Sequence, residues 1–503
     1  MSGLRPLWLT RRRALFAGFF GLGPASGRAG AQATATPDPT PWAVRAVPAD
    51  EPMRQLQAGG TSGLLGTGAS GRSWALSLNG QAPRRIADGI DPNSPITTGH
   101  GRIAARMADG GLWVWEETGG RGRVGISPSA SLSAHAGLLI LPLAVLAVVT
   151  ASGKPANPLS HRLARFEPDP AGRWREVARS NDAVLPDARP VQVDLDGRGD
   201  GGHIAVLAGP DGSRYDHGVL GDAVEATRML WLERHGLDVL RELSLPPPHV
   251  FEDIALRPVV LPGAQGGRGL LTVRSGPDGG QLALVTADPA RPQGLRLAAL
   301  GDTVGGYHRW LAPTTDGHHL AAVHTPHIGG VLHVYQPEGE RLTRRRLQGD
   351  VSTHRIRTRE IDLSAWLQGL LMLPSQDGRQ LRLLNPAADW TELKAVALPG
   401  RAILTAAVPD AAALAVLLDG GQVVLVGQQR AWPRAAARRS ALQVHRPDAS
   451  DDARNIEREG PFCAATGKAR VAARVSVLKL NSLLQGWAGR KSAMRTRWPL
   501  AWE

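Results

Sequence analysis

Short alternating apolar runs recur along the chain, each delivered by a tight glycine turn. Gly110-Gly111 leads into Leu112-Trp113-Val114-Trp115, and Gly279-Gly280 leads into Gln281-Leu282-Ala283-Leu284-Val285. Gly329-Gly330 precedes Val331-Leu332-His333-Val334-Tyr335, Gly378-Arg379 precedes Gln380-Leu381-Arg382-Leu383-Leu384, and Gly420-Gly421 precedes Gln422-Val423-Val424-Leu425-Val426. Two weaker copies, at 160–166 and 228–232, fill the long gap. The steps between run centres are about 49, 67, 53, 50, 49 and 42 residues. Strands and glycine turns at a spacing of roughly 40–50 residues predict a β-propeller, one blade per repeat, because a lone four-stranded blade leaves both faces uncovered and must stack on neighbours. The pattern predicts an all-β chain with a seven-bladed propeller over 56–429. An eighth blade is allowed, since Ser73-Trp74-Ala75-Leu76-Ser77-Leu78 alternates in the same way. The 67-residue step holds an insertion around 215–245. There Asp222-Ala223-Val224-Glu225-Ala226 and the stretch 236–243 predict one short helix or a long connection on a propeller face.

The two ends depart from this pattern. Residues 1–33 place Arg11-Arg12-Arg13 before the apolar stretch 14–22 and close on Ala31-Gln32-Ala33, the layout of a twin-arginine signal with a small-residue cleavage site. That predicts a periplasmic or secreted protein. Neither 14–22 nor 137–151, which contains Pro142, reaches the ~20 apolar residues of a spanning helix, so no transmembrane anchor is expected. The Thr- and Pro-rich stretch that follows suggests a linker over 34–55. After Gln428 the alternation stops, and 430–503 is expected to be a basic, non-propeller, poorly ordered tail. Its composition changes abruptly enough that an altered reading frame is a second explanation.

Charge follows the same division. The net +13 comes from five Arg and no acid in 1–33, and from fifteen basic against six acidic residues in 430–503, which leaves the repeat region close to neutral. A nucleic-acid partner needs a basic face on the folded body, and this body lacks the surplus. The single cysteine, Cys463, excludes an intramolecular disulfide framework and a cysteine-rich metal site.

One acidic loop has the chemistry of a cation site. Val193-Asp194-Leu195-Asp196-Gly197-Arg198-Gly199-Asp200 spaces Asp194, Asp196 and Asp200 so that their oxygens can converge on calcium, with glycine where the chain curls. Arg198 stands where a further carboxylate is wanted, and a hairpin turn with aspartates bonding their own backbone explains the same residues.

Asp194-Leu195-Asp196-Gly197 ahead of a hydrophobic strand resembles the FG-GAP/VCBS repeat, the blade unit of integrin-type propellers. The segments Tyr215-Asp216-His217-Gly218-Val219-Leu220-Gly221-Asp222, Val250-Phe251-Glu252-Asp253-Ile254-Ala255 and His308-Arg309-Trp310-Leu311 look like parts of exported bacterial proteins of that kind. So do Thr325-Pro326-His327-Ile328-Gly329-Gly330 and Arg359-Glu360-Ile361-Asp362-Leu363-Ser364. The likeness covers about 190–430. It implies a seven-bladed propeller, with calcium in some blade loops and no reaction attached. Thr314-Thr315-Asp316-Gly317 keeps one acid of the repeat's three and Trp366-Leu367-Gln368-Gly369 keeps none, so most loops here are not expected to hold calcium.

Seven of the fifteen histidines, His308, His318, His319, His324, His327, His333 and His354, lie within 47 residues. Clustered imidazoles could bind copper or zinc, which makes a periplasmic metalloenzyme the alternative reading. Alternation along strands argues against convergence, because it sends His318 and His319 to opposite faces. No nucleophile elbow, phosphate loop or His-x-x-x-His helix is present. The residues expected on a ligand-binding face are Tyr215, His217, Asp222, His308 and His327. The sequence therefore predicts an exported, monomeric, non-catalytic propeller that binds a protein or polymer ligand.

Overall fold

A computed structural model of the chain describes residues 41–428, apart from 60–62, 118–121, 126–129, 152–156, 200, 262–266 and 293. The expected signal segment 1–33, the expected tail 430–503 and Asp200 lie outside the described residues.

Among the described residues the regular elements are strands, with single 3-10 turns at Pro158–Ser160, Pro386–Ala388 and Pro409–Ala411. The strands pair as consecutive antiparallel meanders of four, the third with a short extra strand, Ala130–Leu132. The first seven sets span 53–87, 97–125, 139–179, 191–244, 257–301, 311–348 and 365–397. The eighth takes three strands from 402–428 and its fourth from Trp42–Val47, which pairs antiparallel with Val423–Gln428 from Trp42↔Gln428 to Val47↔Val423. Short bridges join the fourth, fifth and sixth sets into one sheet, through Val250–Phe251 and through a parallel contact of Leu300 and Gly301 with Arg341 and Leu342.

The hydrophobic cores run round the ring without a gap. Leu65 and Ile90 pack with Ile103 and Trp113 between the first and second sets, and Val114 with Val145 and Phe166 between the second and third. One larger core ties the third, fourth and fifth sets through Leu146, Val206, Met229 and Val285. Leu271 and Leu320, then Val323 and Leu371, then Met372 and Val416 carry packing on to the eighth set. Leu404 and Leu425 then meet Met53, Leu56 and Leu64 of the first set and complete the circuit. The second strand of the eighth set, Ala413–Leu418, buries both of its faces: Leu414 and Val416 face the seventh set, while Ala413, Ala415 and Leu417 face the first. The chain is a β-propeller.

Glycine turns ahead of the third strands bind six of the eight sets to the next. The carbonyls of Gly71, Gly110, Gly280, Gly330, Gly378 and Gly421 accept backbone N–H bonds from Ile90, Leu132, Val304, Val351, Ala402 and Met53 respectively. Gly421 has φ +80°, and a Cβ there would sit 2.6 Å from the Pro52 side chain, so only glycine fits where the last set meets the first.

One expectation is corrected. Residues 34–55 are not a linker throughout: Trp42–Val47 is the closing strand, and Met53–Ala58 opens the first set. Of the helix and the long connection expected within 215–245, the connection is what forms, over 212–224, while Glu225–Leu232 and Val239–Ser244 are the third and fourth strands of their set. The pairing also resolves eight four-stranded sets where the periodicity counts seven. The Ser73–Ala75 strand, on which an eighth rested, is the third strand of the first set.

Val426 is fully buried in the closing sheet, opposite Val44. Val426→Asp is expected to cost about 3 kcal/mol or more, because an unpaired carboxylate is forced between two sets. A denaturant melt checks this; an unchanged midpoint would show that the closing sheet is not part of the cooperative fold.

Candidate functional site

In a four-stranded antiparallel meander the second-to-third connection and the exit to the next set emerge at one end, here called the upper end. The first-to-second and third-to-fourth connections emerge at the other. The upper end of the fourth to sixth sets gathers most of the polar and aromatic side chains singled out from the sequence.

Tyr215, Asp216 and His217 come from the 212–224 connection, Glu252 and Asp253 follow Val250–Phe251, and Tyr307 and His308 precede the sixth set. His217 and His308 stack nearly parallel, with ring centroids 4.7 Å apart and planes at 9°. Each imidazole is held by a carboxyl group. His217 Nδ1 bonds to Glu252, which also accepts from Ser275 Oγ, and His308 Nε2 lies 2.9 Å from Asp216 Oδ1. Tyr307 donates its hydroxyl to the same Asp216 oxygen at 2.8 Å, and Tyr215 Oη accepts the His308 N–H at 3.2 Å. Tyr215 sits edge-on to His217, Tyr307 and His308.

His327 stacks on Trp310 and hydrogen-bonds His354, Nε2 to Nδ1, at 2.9 Å. His354 Nε2 is 2.8 Å from the Thr358 carbonyl and must carry the proton of its ring, so Nδ1 accepts from His327. Burial keeps both rings neutral, pushing His327 down to about 4 and His354 to about 3. Four of the five expected ligand-face residues, Tyr215, His217, His308 and His327, thus meet around one patch. Asp222 lies apart, capping the Val224 N–H and pairing with Arg359.

The histidine cluster does not converge. His318 and His319 sit at the lower end, where their N–H groups and the His319 ring bond Asp316, and His319 stacks on Trp366. His324 is buried within the sixth set against Tyr335, Arg344 and His333, and is pushed down to about 3. Among the described residues no group of three or more His, Cys, Asp or Glu is placed to hold a metal ion. Asp194 accepts the N–H groups of Arg198 and Gly199 at 3.2 and 3.0 Å and faces Arg268, and Asp196 pairs with Arg198 at 3.1 Å. Cations thus stand against both carboxylates.

Sequence reasoning named Glu225, Glu252 and Asp253 only within longer segments and did not place them together as buried acids beneath the patch. Glu225, Glu252 and Asp253 are buried together with Asp187. Burial, then Glu252, Asp187, Asp222 and Asp253, pushes Glu225 well above the carboxylate range. Burial and Asp222 lift Asp187 to about 6 against the pull of Arg359. An acidic pair directly after the apolar Val250-Phe251 was the one visible signal.

A cavity of about 1050 Å³ runs along the ring axis between the first strands of the sets. The connection 349–364 crosses its upper mouth as a strap. Arg357 N–H bonds the Val219 carbonyl and Arg359 Nε bonds Asp187 Oδ2, each at 2.8 Å. Arg189 reaches back to Asp362 and, at 2.8 Å, to the Arg359 carbonyl, while Thr405 holds the Asp362 carbonyl at 3.0 Å.

No family model matches the chain, and no curated protein matches it. Solved structures are similar in fold. BamB from Moraxella catarrhalis is 13% identical over 77% of this chain and 97% of that one, with a TM-score of 0.47. Saccharomyces cerevisiae Sqt1 is 10% identical, with shares of 77% and 97% and a TM-score of 0.49. The Myceliophteria_thermophila Cps50 (Swd1) β-propeller domain is 9% identical, with shares of 77% and 99% and a TM-score of 0.40. These are likenesses of fold alone, and the strand pairing carries the propeller assignment.

The buried acids predict a pH signature. A carboxyl raised in the folded state, such as Asp187 at about 6 against 3.8, contributes stability that is present below pH ~4 and lost as pH rises through ~6. The depressed histidines work oppositely: their contribution is present above pH ~6.5 and lost as pH falls towards ~4. The two trends overlap, so the difference between wild type and Glu225→Gln isolates the carboxyl. The variant is expected to melt higher than wild type at alkaline pH, with the gap narrowing as pH falls. A gap that ignores pH would show that Glu225 does not titrate as a buried acid.

Proposed function

We propose that this chain is an exported, non-catalytic propeller of the FG-GAP/VCBS kind, with its eight four-stranded sets as eight blades, which binds a partner protein at its upper end. The observation that carries the reading is the exposure of three large apolar side chains on neighbouring upper connections. Tyr307 is 51% exposed, Ile328 60% and Ile356 58%, and they stand beside the His308–Asp216 and His327–His354 pairs. Apolar anchors rimmed by partly wet polar groups are the composition of a protein-binding patch. The stacked rings beneath are locked by buried hydrogen bonds, so the patch is preorganised and little side-chain freedom is lost on binding. Calcium has no part in this reading, since the Asp194 and Asp196 carboxylates are already engaged by amides and arginines. Export rests on the Arg11-Arg12-Arg13 segment, and the family on the residue likeness over 190–430.

A pull-down from the exported fraction tests the face. Tyr307→Ala with Ile328→Asp is expected to abolish capture of the partner with little change in melting. Leu143→Asp, at the lower end and 72% exposed, should leave capture intact. The reverse pattern would place the partner on the wrong side of the ring.

Fractionation tests export. Replacing Arg11, Arg12 and Arg13 together by Lys is expected to strand the precursor in the cytoplasm, and normal export of the triple variant would remove the twin-arginine assignment.

A further inference from the structure

The axial cavity presents arginine forks that the protein itself does not use. Six arginines line its wall, all at the upper end: Arg54, Arg189, Arg257, Arg355, Arg357 and Arg359. Three have protein partners. Arg257 pairs with Asp253, Arg359 with Asp187 and Asp222, and Arg189 with Asp362. Arg54, Arg355 and Arg357 have no carboxylate within ion-pair distance among the described residues. Arg355 Nε and Arg189 Nε are moreover buried donors without an acceptor. A buried donor left unmade costs free energy, and a guanidinium is a planar set of donors shaped for a carboxylate or phosphate edge. Opposing charge on the same wall is partly spent: Asp316 is tied to the His318 and His319 amides and Asp362 to Arg189, leaving Glu360 and Asp419.

The strap decides where the unused forks point. Arg355 and Arg357 alternate with Ile356 along it, so the two arginines line the cavity while Ile356 is exposed at the rim. Arg54, the second residue of the first inner strand, lines the same cavity. A cavity of about 1050 Å³, crossed at its mouth by the strap, suits a small molecule rather than a chain.

We infer that the axial cavity is a binding site for a small oxyanion bearing two or more negative charges, held by Arg54, Arg355 and Arg357. The oxyanion edges are carboxylate or phosphate; both take a bidentate arginine contact. The site adjoins the rim patch at Ile356 but shares no residue with it, so the inference does not rest on partner binding there.

Isothermal titration of the full mature chain with pyrophosphate and, in parallel, citrate tests it at low ionic strength. One-to-one binding of either is expected, weakening with added sodium chloride. Affinity should fall about tenfold or more in Arg54→Ala and in Arg355→Ala, the loss of one charge-assisted contact. Pyrophosphate alone would identify a phosphate ligand, and citrate alone a carboxylate one. Tyr307→Ala, on the rim, should bind the anion as wild type does, which separates this site from the partner face. If Arg355→Ala fails to fold, exposed Arg54 decides the matter, with Arg355→Lys, which keeps the charge but loses the fork, as a second measure. Binding by neither anion, or binding undiminished in Arg54→Ala and Arg355→Lys, overturns the inference; the second outcome places the anion on basic residues elsewhere, 430–503 included.

Discussion

Everything in this molecule depends on the strand Trp42–Val47 pairing with Val423–Gln428. A sheet buried on both faces has no stable end: each set covers the apolar face of the one before and exposes another. Without the closing strand, Val423–Gln428 would present unpaired backbone groups along an apolar edge. With it, the core returns from Leu404 and Leu425 to Met53 and Leu64, and no set is terminal. The Met53 N–H to Gly421 carbonyl bond repeats at this seam the link that Gly71, Gly110, Gly280, Gly330 and Gly378 make within the chain.

Closure is also what makes a site. The meander sends alternate connections to one end, so the 212–224 insertion, the Glu252 turn, Tyr307-His308 and the strap 349–364 all meet there although they lie far apart along the chain. The Arg359–Asp187 and Arg189–Asp362 pairs span more than 170 residues and pin the strap across the ring. Their worth is positional. A partly buried ion pair gains little net free energy over an apolar contact, but losing one partner strands a charge, so such pairs hold one geometry firmly. Under the proposed function, that rigidity fixes both the aromatic rim and the arginine forks beneath it.

The chemistry of the site was only partly legible. Tyr215, His217, His308 and His327 stood out as a polar face, and the ring brings them together. The seven-histidine cluster stood out equally, yet it divides between the upper end, the lower end and the interior of the sixth set, because closeness in sequence along a strand means opposite faces and opposite ends. Glu225 and Glu252 were named only within the 222–226 and 250–255 segments, and nothing local marks either acid as buried. Their burial depends on neighbours contributed by other connections, Asp187 and His217 among them.

The sequence by itself determined the repeat. All seven runs recognised from their spacing are third strands, and five of them are placed by a glycine turn whose backbone requirement is local, at Gly110, Gly279, Gly329, Gly378 and Gly421. The third strand is legible where a tight glycine turn marks its start; the second strand, such as Ala413–Leu418, is as apolar and as buried but has no such marker. Ser73–Ala75 was the copy undercounted: the strand is three residues long and carries a single large side chain, Trp74. Only the tertiary structure decided the rest. That Trp42–Val47 is a strand rather than a linker, that the sets number eight, and that Arg54 and Arg355 share one cavity all follow from ring closure. Closure joins residues more than 300 positions apart, and no local pattern encodes a pairing at that distance.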